Sequence, residues 1–178
     1  ILPFTRLLSS PMDYTPGIFN LKDYRYYSQD NRIINKDHHI PSTISKELAL
    51  YVVIYAPVQM AADLPKHYEG NPAFKFILDV PTDWENTITL NGEIGEYITV
   101  ARKDVESDDW YLGSITNEDS RNINIDLSFL DDNRKYNATI YKDPANGGWE
   151  SRPEEVVIIE LVFDSNDTYE IVLPSGGG

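Results

Sequence analysis

The spacing of apolar residues changes along the chain and divides it near Gly70. In residues 1–10, Leu2, Phe4, Leu7 and Leu8 surround Thr5 and Arg6, a pattern that fits the end of a helix stopped by Ser9, Ser10 and Pro11. Met12-Asp13-Tyr14-Thr15 lies between Pro11 and Pro16-Gly17 and predicts a short buried strand with a turn after it. Residues 16–41 keep no period of 2 or 3.6, so they predict a loop long enough to suggest a functional role. Ser42 or Thr43 can then cap a helix that has Glu47 in its first turn. Its body, 48–64, is apolar almost all round and must therefore be buried. A kink is expected at Pro57 and an end at Leu64-Pro65.

Beyond Gly70 the period shortens. Residues 71–83 predict a helical connector. Strands are then expected at 88–90, 97–102, 109–115, 122–127, 136–141, 156–163 and 169–173. Ile123, Ile125 and Leu127 alternate cleanly with Asn and Asp. Turn chemistry separates the runs, as at Asn91-Gly92, Asp131-Asp132-Asn133 and Asn146-Gly147-Gly148. Seven short strands at this spacing predict an antiparallel sandwich or open barrel.

Composition narrows the picture. No run of about 18 apolar residues is free of charge or proline, which argues against a helical membrane span. The absence of cysteine excludes disulfides, thiolate metal sites and cysteine nucleophiles. The net charge of -14 lies wholly in 71–178, where 8 basic residues face 22 acidic ones. Such a surface disfavours nucleic acid and anionic membrane as partners. The chain begins at Ile1 with no basic stretch ahead of an apolar one, so no signal peptide is read and a piece of a longer protein is expected.

A short strand, a long loop and a buried helix make the closing β/α unit of a larger parallel array. A (β/α)8 barrel needs roughly 250 residues, so only its last quarter fits before residue 70. The chain also carries long words of a known family. Ile1-Leu2-Pro3-Phe4-Thr5-Arg6 and Pro11-Met12-Asp13-Tyr14-Thr15-Pro16-Gly17-Ile18-Phe19 resemble the late barrel segment of glycoside hydrolase family 97. So do Leu48-Ala49-Leu50-Tyr51-Val52-Val53-Ile54-Tyr55-Ala56-Pro57, Asp79-Val80-Pro81-Thr82-Asp83-Trp84 and Asp108-Asp109-Trp110-Tyr111-Leu112-Gly113-Ser114. Residues 31–41 depart from that pattern.

The resemblance implies an enzyme with an N-terminal β-sandwich, a central barrel and a C-terminal β-sandwich. It implies α-glucosidase or α-galactosidase activity, dependence on calcium and export to a bacterial periplasm. It places the catalytic carboxylates and the calcium ligands upstream of Ile1. The expected fold is therefore an α+β fragment in three parts. Residues 1–70 supply the closing strand, long loop and helix of the barrel, 71–83 a connector, and 84–178 the antiparallel C-terminal β-sandwich. Expected partners are an oligosaccharide held by the intact barrel and the rest of the same polypeptide. The isolated chain is expected to be inactive. Its apolar helix should drive self-association, a swap of elements, or burial against its own sandwich.

Few residues here carry chemistry. A glycosidase usually needs two carboxyls about 5 to 9.5 Å apart, yet acids before residue 70 are scattered. Asp13, with Tyr14 and Thr15, sits on the predicted strand, and barrel strands point their C-terminal ends at the active site. These three are candidates for the rim of the sugar pocket. The plainer reading of Asp13 is a turn or a barrel ion pair. Tyr24, Tyr26 and Tyr27 could stack on a sugar or pack the loop. His38 and His39 are adjacent and would point apart on extended chain, which suits no shared metal. The acidic loops 104–109 and 131–133 read as solvated turns, or as weak calcium loops without EF-hand spacing. Trp84, Trp110 and Trp149 would form a platform in the rival reading, a non-catalytic carbohydrate-binding module. They would be buried in a bracing domain. A calcium-binding adhesion domain is the third option.

Overall fold

The computed structural model describes residues 1–22 and 40–178. Helix α1 covers Ile44–Val53; α2 (Pro65–Tyr68) and α3 (Phe74–Asp79) are short. Seven strands follow: β1 (Trp84–Glu93), β2 (Tyr97–Asp104), β3 (Trp110–Thr116), β4 (Arg121–Asp126), β5 (Tyr136–Lys142), β6 (Val157–Phe163) and β7 (Thr168–Leu173). All ladders among them are antiparallel, in the groups β1-β2-β3, β4-β7 and β5-β6. All seven expected strands form. One expected turn does not: Asn91-Gly92 lies within β1, beside a register shift. The chain reverses instead at Glu93–Glu96, where Gly95 takes φ +85.

The β1-β2-β3 sheet is covered on both faces, as its alternation requires. Ile98, Val100 and Ile115 meet Leu50, Val53 and Ile54 of α1. Leu90, Tyr97, Trp110 and Leu112 meet Ile123, Ile125 and Leu173 of the β4-β7 pair. Gly113 is where α1 crosses β3, with the carbonyl oxygen of Ala49 only 2.7 Å from where a Cβ would sit. Buried Arg102 reaches out of the same sheet and donates from Nε to the carbonyl of Val52, 2.6 Å away at the C-terminal end of α1. Burial lowers its pKa to about 10, which still leaves it charged at neutral pH.

The helix departs from the expected 48–64. Its start is as expected, since Thr43 caps it by accepting from the Lys46 amide at 3.1 Å, but its end comes sooner. Ile54 already has extended dihedrals, and Pro57 ends the helix rather than kinking it. The second half of the apolar run is not helical: the chain bends at Ile54, Pro57 and Val58, and Gln59 then makes a parallel bridge to Tyr14. An unbroken apolar run suits a buried helix and a buried parallel strand equally well, so periodicity could not tell them apart. Residues 1–10 likewise hold two single 3-10 turns, Leu2–Phe4 and Arg6–Leu8, in place of a helix end. Every residue of α1 except Lys46 is buried, which realises the third expected fate of the helix. Its apolar surface lies against β2, β3 and the loops around it.

Candidate functional site

The parallel bridge between Tyr14 and Gln59 sets two strand-like stretches side by side, with α1 as the crossover. Side chains alternate across them. Met12 and Tyr14 turn inward onto Leu50, Val53 and Ile54. Asp13 and Thr15 are exposed. Val58 and Met60 flank Gln59 and are 58 % and 51 % exposed. Of the three expected rim residues, two thus share an open side and Tyr14 does not. Burial, and then the charge of Glu47, raise the Tyr14 pKa, so its hydroxyl stays neutral.

Just past the first stretch, residues 17–22 run without sheet partners, and side chains take the partners' place. Each of three carboxylates holds two successive amides. Glu47 Oε2 accepts from Gly17 and Ile18 at 3.0 and 3.4 Å. Asp63 Oδ2 accepts from Phe19 and Asn20 at 2.9 and 2.7 Å. Glu154 Oε1 accepts from Leu21 and Lys22, both at 2.9 Å. Successive N–H groups that converge on one anion form the nest geometry familiar from anion sites, here filled by the protein itself. The carbonyls are held by tyrosines. The Tyr68 hydroxyl donates to Gly17 O at 2.8 Å, and the Tyr51 hydroxyl lies 3.1 and 3.0 Å from the carbonyls of Pro16 and Met60. Burial raises the Tyr51 pKa strongly, which keeps that hydroxyl a donor. Gly17, at φ +94 beneath Tyr51, supplies the turn that the Pro16-Gly17 pair predicted.

Asp63 also accepts from the Leu64 amide and faces His67. Burial opposes its ionisation, but the amides of Asn20, Leu64 and Phe19 and the His67 ring outweigh it and lower its pKa. A depressed carboxylate stabilises the fold above its unfolded pKa, about 3.9, and loses that contribution as pH falls through the lower folded value. Asp63→Asn is expected to cost about 1–3 kcal/mol at pH 7. Urea titrations of both proteins should show the gap closing as pH falls below about 4. A gap that persists undiminished at lower pH would refute the charge-assisted role.

A second buried carboxylate, Asp143, sits under the start of α1. It accepts from the Thr43 hydroxyl at 3.2 Å and the Gly178 amide at 3.1 Å. Burial raises its pKa, opposed by the Gly178 amide and the Thr43 and Ser45 hydroxyls, then by the Lys46 charge. Lys46 donates to Thr116 O at 2.7 Å. Sequence reasoning missed Glu47, Asp63, Asp143 and Glu154 as organising groups. The one available signal was an acid, Glu47, heading an otherwise apolar run.

The tryptophans do not share a platform. Trp84 packs on the α1 side of the sheet, edge-on to Tyr111 at 5.7 Å. Trp110 packs on the other side against Phe129 at 4.9 Å. Trp149 lies against Gly176. A cavity of about 1170 Å3 between β3, β5 and β7 is lined by Trp110 but by neither of the others. The acidic loops serve their own turns. Asp104 accepts from the Glu106 amide and the Ser107 hydroxyl, and Asp108 pairs with Arg134 at 2.8 Å. Among the described residues no group of three His, Asp or Glu side chains is placed to hold a metal ion. Tyr24, Tyr26, Tyr27, His38 and His39 lie outside the described residues.

Residues 83–178 match the family model described as "Glycosyl-hydrolase 97 C-terminal, oligomerisation". The whole chain is 36 % identical to a retaining alpha-galactosidase of Bacteroides thetaiotaomicron, of which it covers 26 %. A probable retaining alpha-galactosidase of Streptomyces bingchenggensis is 29 % identical over 63 % of the chain and 15 % of its own length. Among solved structures, a glycoside hydrolase family 97 enzyme from Pseudoalteromonas sp. strain K8, in complex with panose, superposes with a TM-score of 0.88. It is 43 % identical over 99 % of this chain and 26 % of that one. A beta-arabinopyranosidase, 22 % identical with a TM-score of 0.72 over 94 % of this chain and 24 % of its own, shares the fold. The chain spans about a quarter of the length of the first of these curated relatives. With its last 96 residues matching that C-terminal model, the chain belongs to glycoside hydrolase family 97.

Proposed function

We propose that this chain is the C-terminal part of an exo-acting α-glycoside hydrolase that releases terminal α-linked galactose or glucose. The parallel pairing of Tyr14 with Gln59 across α1 carries the reading. A parallel pair joined by a helix is the unit from which a (β/α)8 barrel is built. Two barrel strands are therefore assigned here, where the sequence pattern predicted one. Asp13, Thr15, Val58 and Met60 would face the barrel interior. Helix α1 and Tyr14 belong to the layer between barrel and sandwich. Residues 71–83 serve as the connector, and 84–178 form a sandwich that braces α1 through Arg102, Gly113 and Asp143. Asp13 and Thr15, at the C-terminal end of their strand, form the rim of the sugar pocket. The catalytic carboxylates, and calcium with its ligands, belong to parts of the enzyme outside this chain. Export to a bacterial periplasm is part of the same reading, as is assembly through the sandwich, which the family model's description names.

The specificity reading is supported by the relatives, retaining alpha-galactosidases on one side and a panose-bound enzyme on the other. The carbohydrate-binding alternative is disfavoured by Trp84 and Trp110, which lie on opposite faces of one sheet, and by Trp149, which lies apart from both against Gly176. The test is turnover of p-nitrophenyl α-galactoside and α-glucoside. The intact enzyme should hydrolyse at least one, and this chain alone neither.

A further inference from the structure

Glu154 stands apart from the other two carboxylates that hold residues 17–22. Glu47 and Asp63 belong to the same β-α-β unit as the segment they hold. Glu154 comes from the β5–β6 connection, 133 residues away from Leu21. Its neighbours make the same crossing. The carbonyl of Pro153 accepts from the Ile44 amide at 2.8 Å, at the first turn of α1. Val156 packs into the cluster of Phe19, Leu21 and Leu48. Glu155 instead pairs with Arg152 on the surface. The target is well placed to matter, because residues 17–22 follow the C-terminal end of the Asp13-Tyr14-Thr15 strand. That is the end of a parallel strand at which α/β folds bind their ligands. The Ile40 amide also donates to Leu21 O at 3.1 Å, so the described chain on both sides of residues 23–39 meets at the residue that Glu154 holds.

We propose that Glu154 is a positioning residue for substrate binding, through which the C-terminal sandwich sets residues 17–22 beside the sugar pocket. The proposal rests on the reading above that Asp13 and Thr15 form its rim. Two charge-assisted bonds to adjacent amides are short and directional, so they hold the segment in place better than apolar packing alone. Their loss should loosen a wall of the pocket without touching the reacting groups.

The test is made in the intact enzyme. Glu154→Ala is expected to raise KM for the better nitrophenyl glycoside about three- to tenfold, with kcat within about twofold. Amide exchange at Leu21 and Lys22 should speed up at least about tenfold. Glu154→Gln retains a neutral acceptor and should recover most of the KM loss. An unchanged KM in Glu154→Ala overturns the proposal, and so does unchanged exchange at the two amides. If Glu154→Ala does not fold, exchange at Leu21 and Lys22 in Glu154→Asp decides, because the shorter side chain draws its carboxylate back from both amides: faster exchange supports the proposal and wild-type exchange overturns it. A wild-type enzyme with no turnover on either glycoside defeats the functional reading instead, and the exchange rates then judge the clamp on their own.

Discussion

Replacing Gly113 by alanine is expected to destabilise this chain by about 2–3 kcal/mol, and replacement by valine to prevent folding at 37 °C. A Cβ there would sit 2.7 Å from Ala49 O, 2.9 Å from Val52 Cβ and 3.1 Å from Val53 Cγ2. The first of these is helix backbone, so no side-chain rotation relieves it, and α1 must lift off β3. Overpacking of a close-packed core costs about 1–3 kcal/mol per added group. Lifting α1 would also strain its other ties to the sheet, including the bond from Arg102 to Val52. For a chain of this size, 1 kcal/mol moves the melting temperature by roughly 2–4 °C. Scanning calorimetry should thus find Gly113→Ala roughly 4–12 °C lower. An unshifted transition would show that the helix does not approach the sheet as closely as described.

The second large effect is expected at Glu47. Its carboxylate accepts from the amides of Gly17 and Ile18 on one oxygen and from the Ser42 hydroxyl, 2.7 Å away, on the other. The residue is 7 % exposed, so water has little room to replace it. Glu47→Ala leaves three buried donors without an acceptor. At about 1–3 kcal/mol per buried unsatisfied group, and with some relaxation, a loss of about 3–5 kcal/mol is expected. Glu47→Gln keeps the shape and one acceptor and should lose about half of that. Urea unfolding of the three proteins measures the series. Equal stability of the alanine and glutamine variants would mean that the acceptor atoms contribute nothing and only the shape counts.

The β-rich half was legible because period-2 alternation and turn residues are local signals. Ile123, Ile125 and Leu127 announced their strand, and their buried face is the one observed. The apolar run after Glu47 was not legible in the same way. Burial on all sides erases periodicity, and only Pro57 marked the change from helix to extended chain. Asp13, Tyr14 and Thr15, the expected rim residues, were read on one strand, and alternation sends Tyr14 to the side opposite the other two. The carboxylate clamps were out of reach for a different reason. Glu154 meets Leu21 across 133 positions, and nothing in the local pattern of either residue announces the other. The Asn91-Gly92 turn failed because a strong local signal was overridden by the ladder to β2, which carries β1 on to Glu93.

The proposed placement of the active site outside this chain is tested by a paired assay on p-nitrophenyl α-galactoside and α-glucoside, with calcium added, of this chain beside the intact enzyme. Turnover is expected from the intact enzyme and none from the chain, because the described residues include no exposed carboxylate pair on the open side of the Tyr14–Gln59 bridge. Turnover by the chain alone would contradict it. Asp13 or a neighbour would then be doing chemistry, and the active site would have to be placed within these 178 residues.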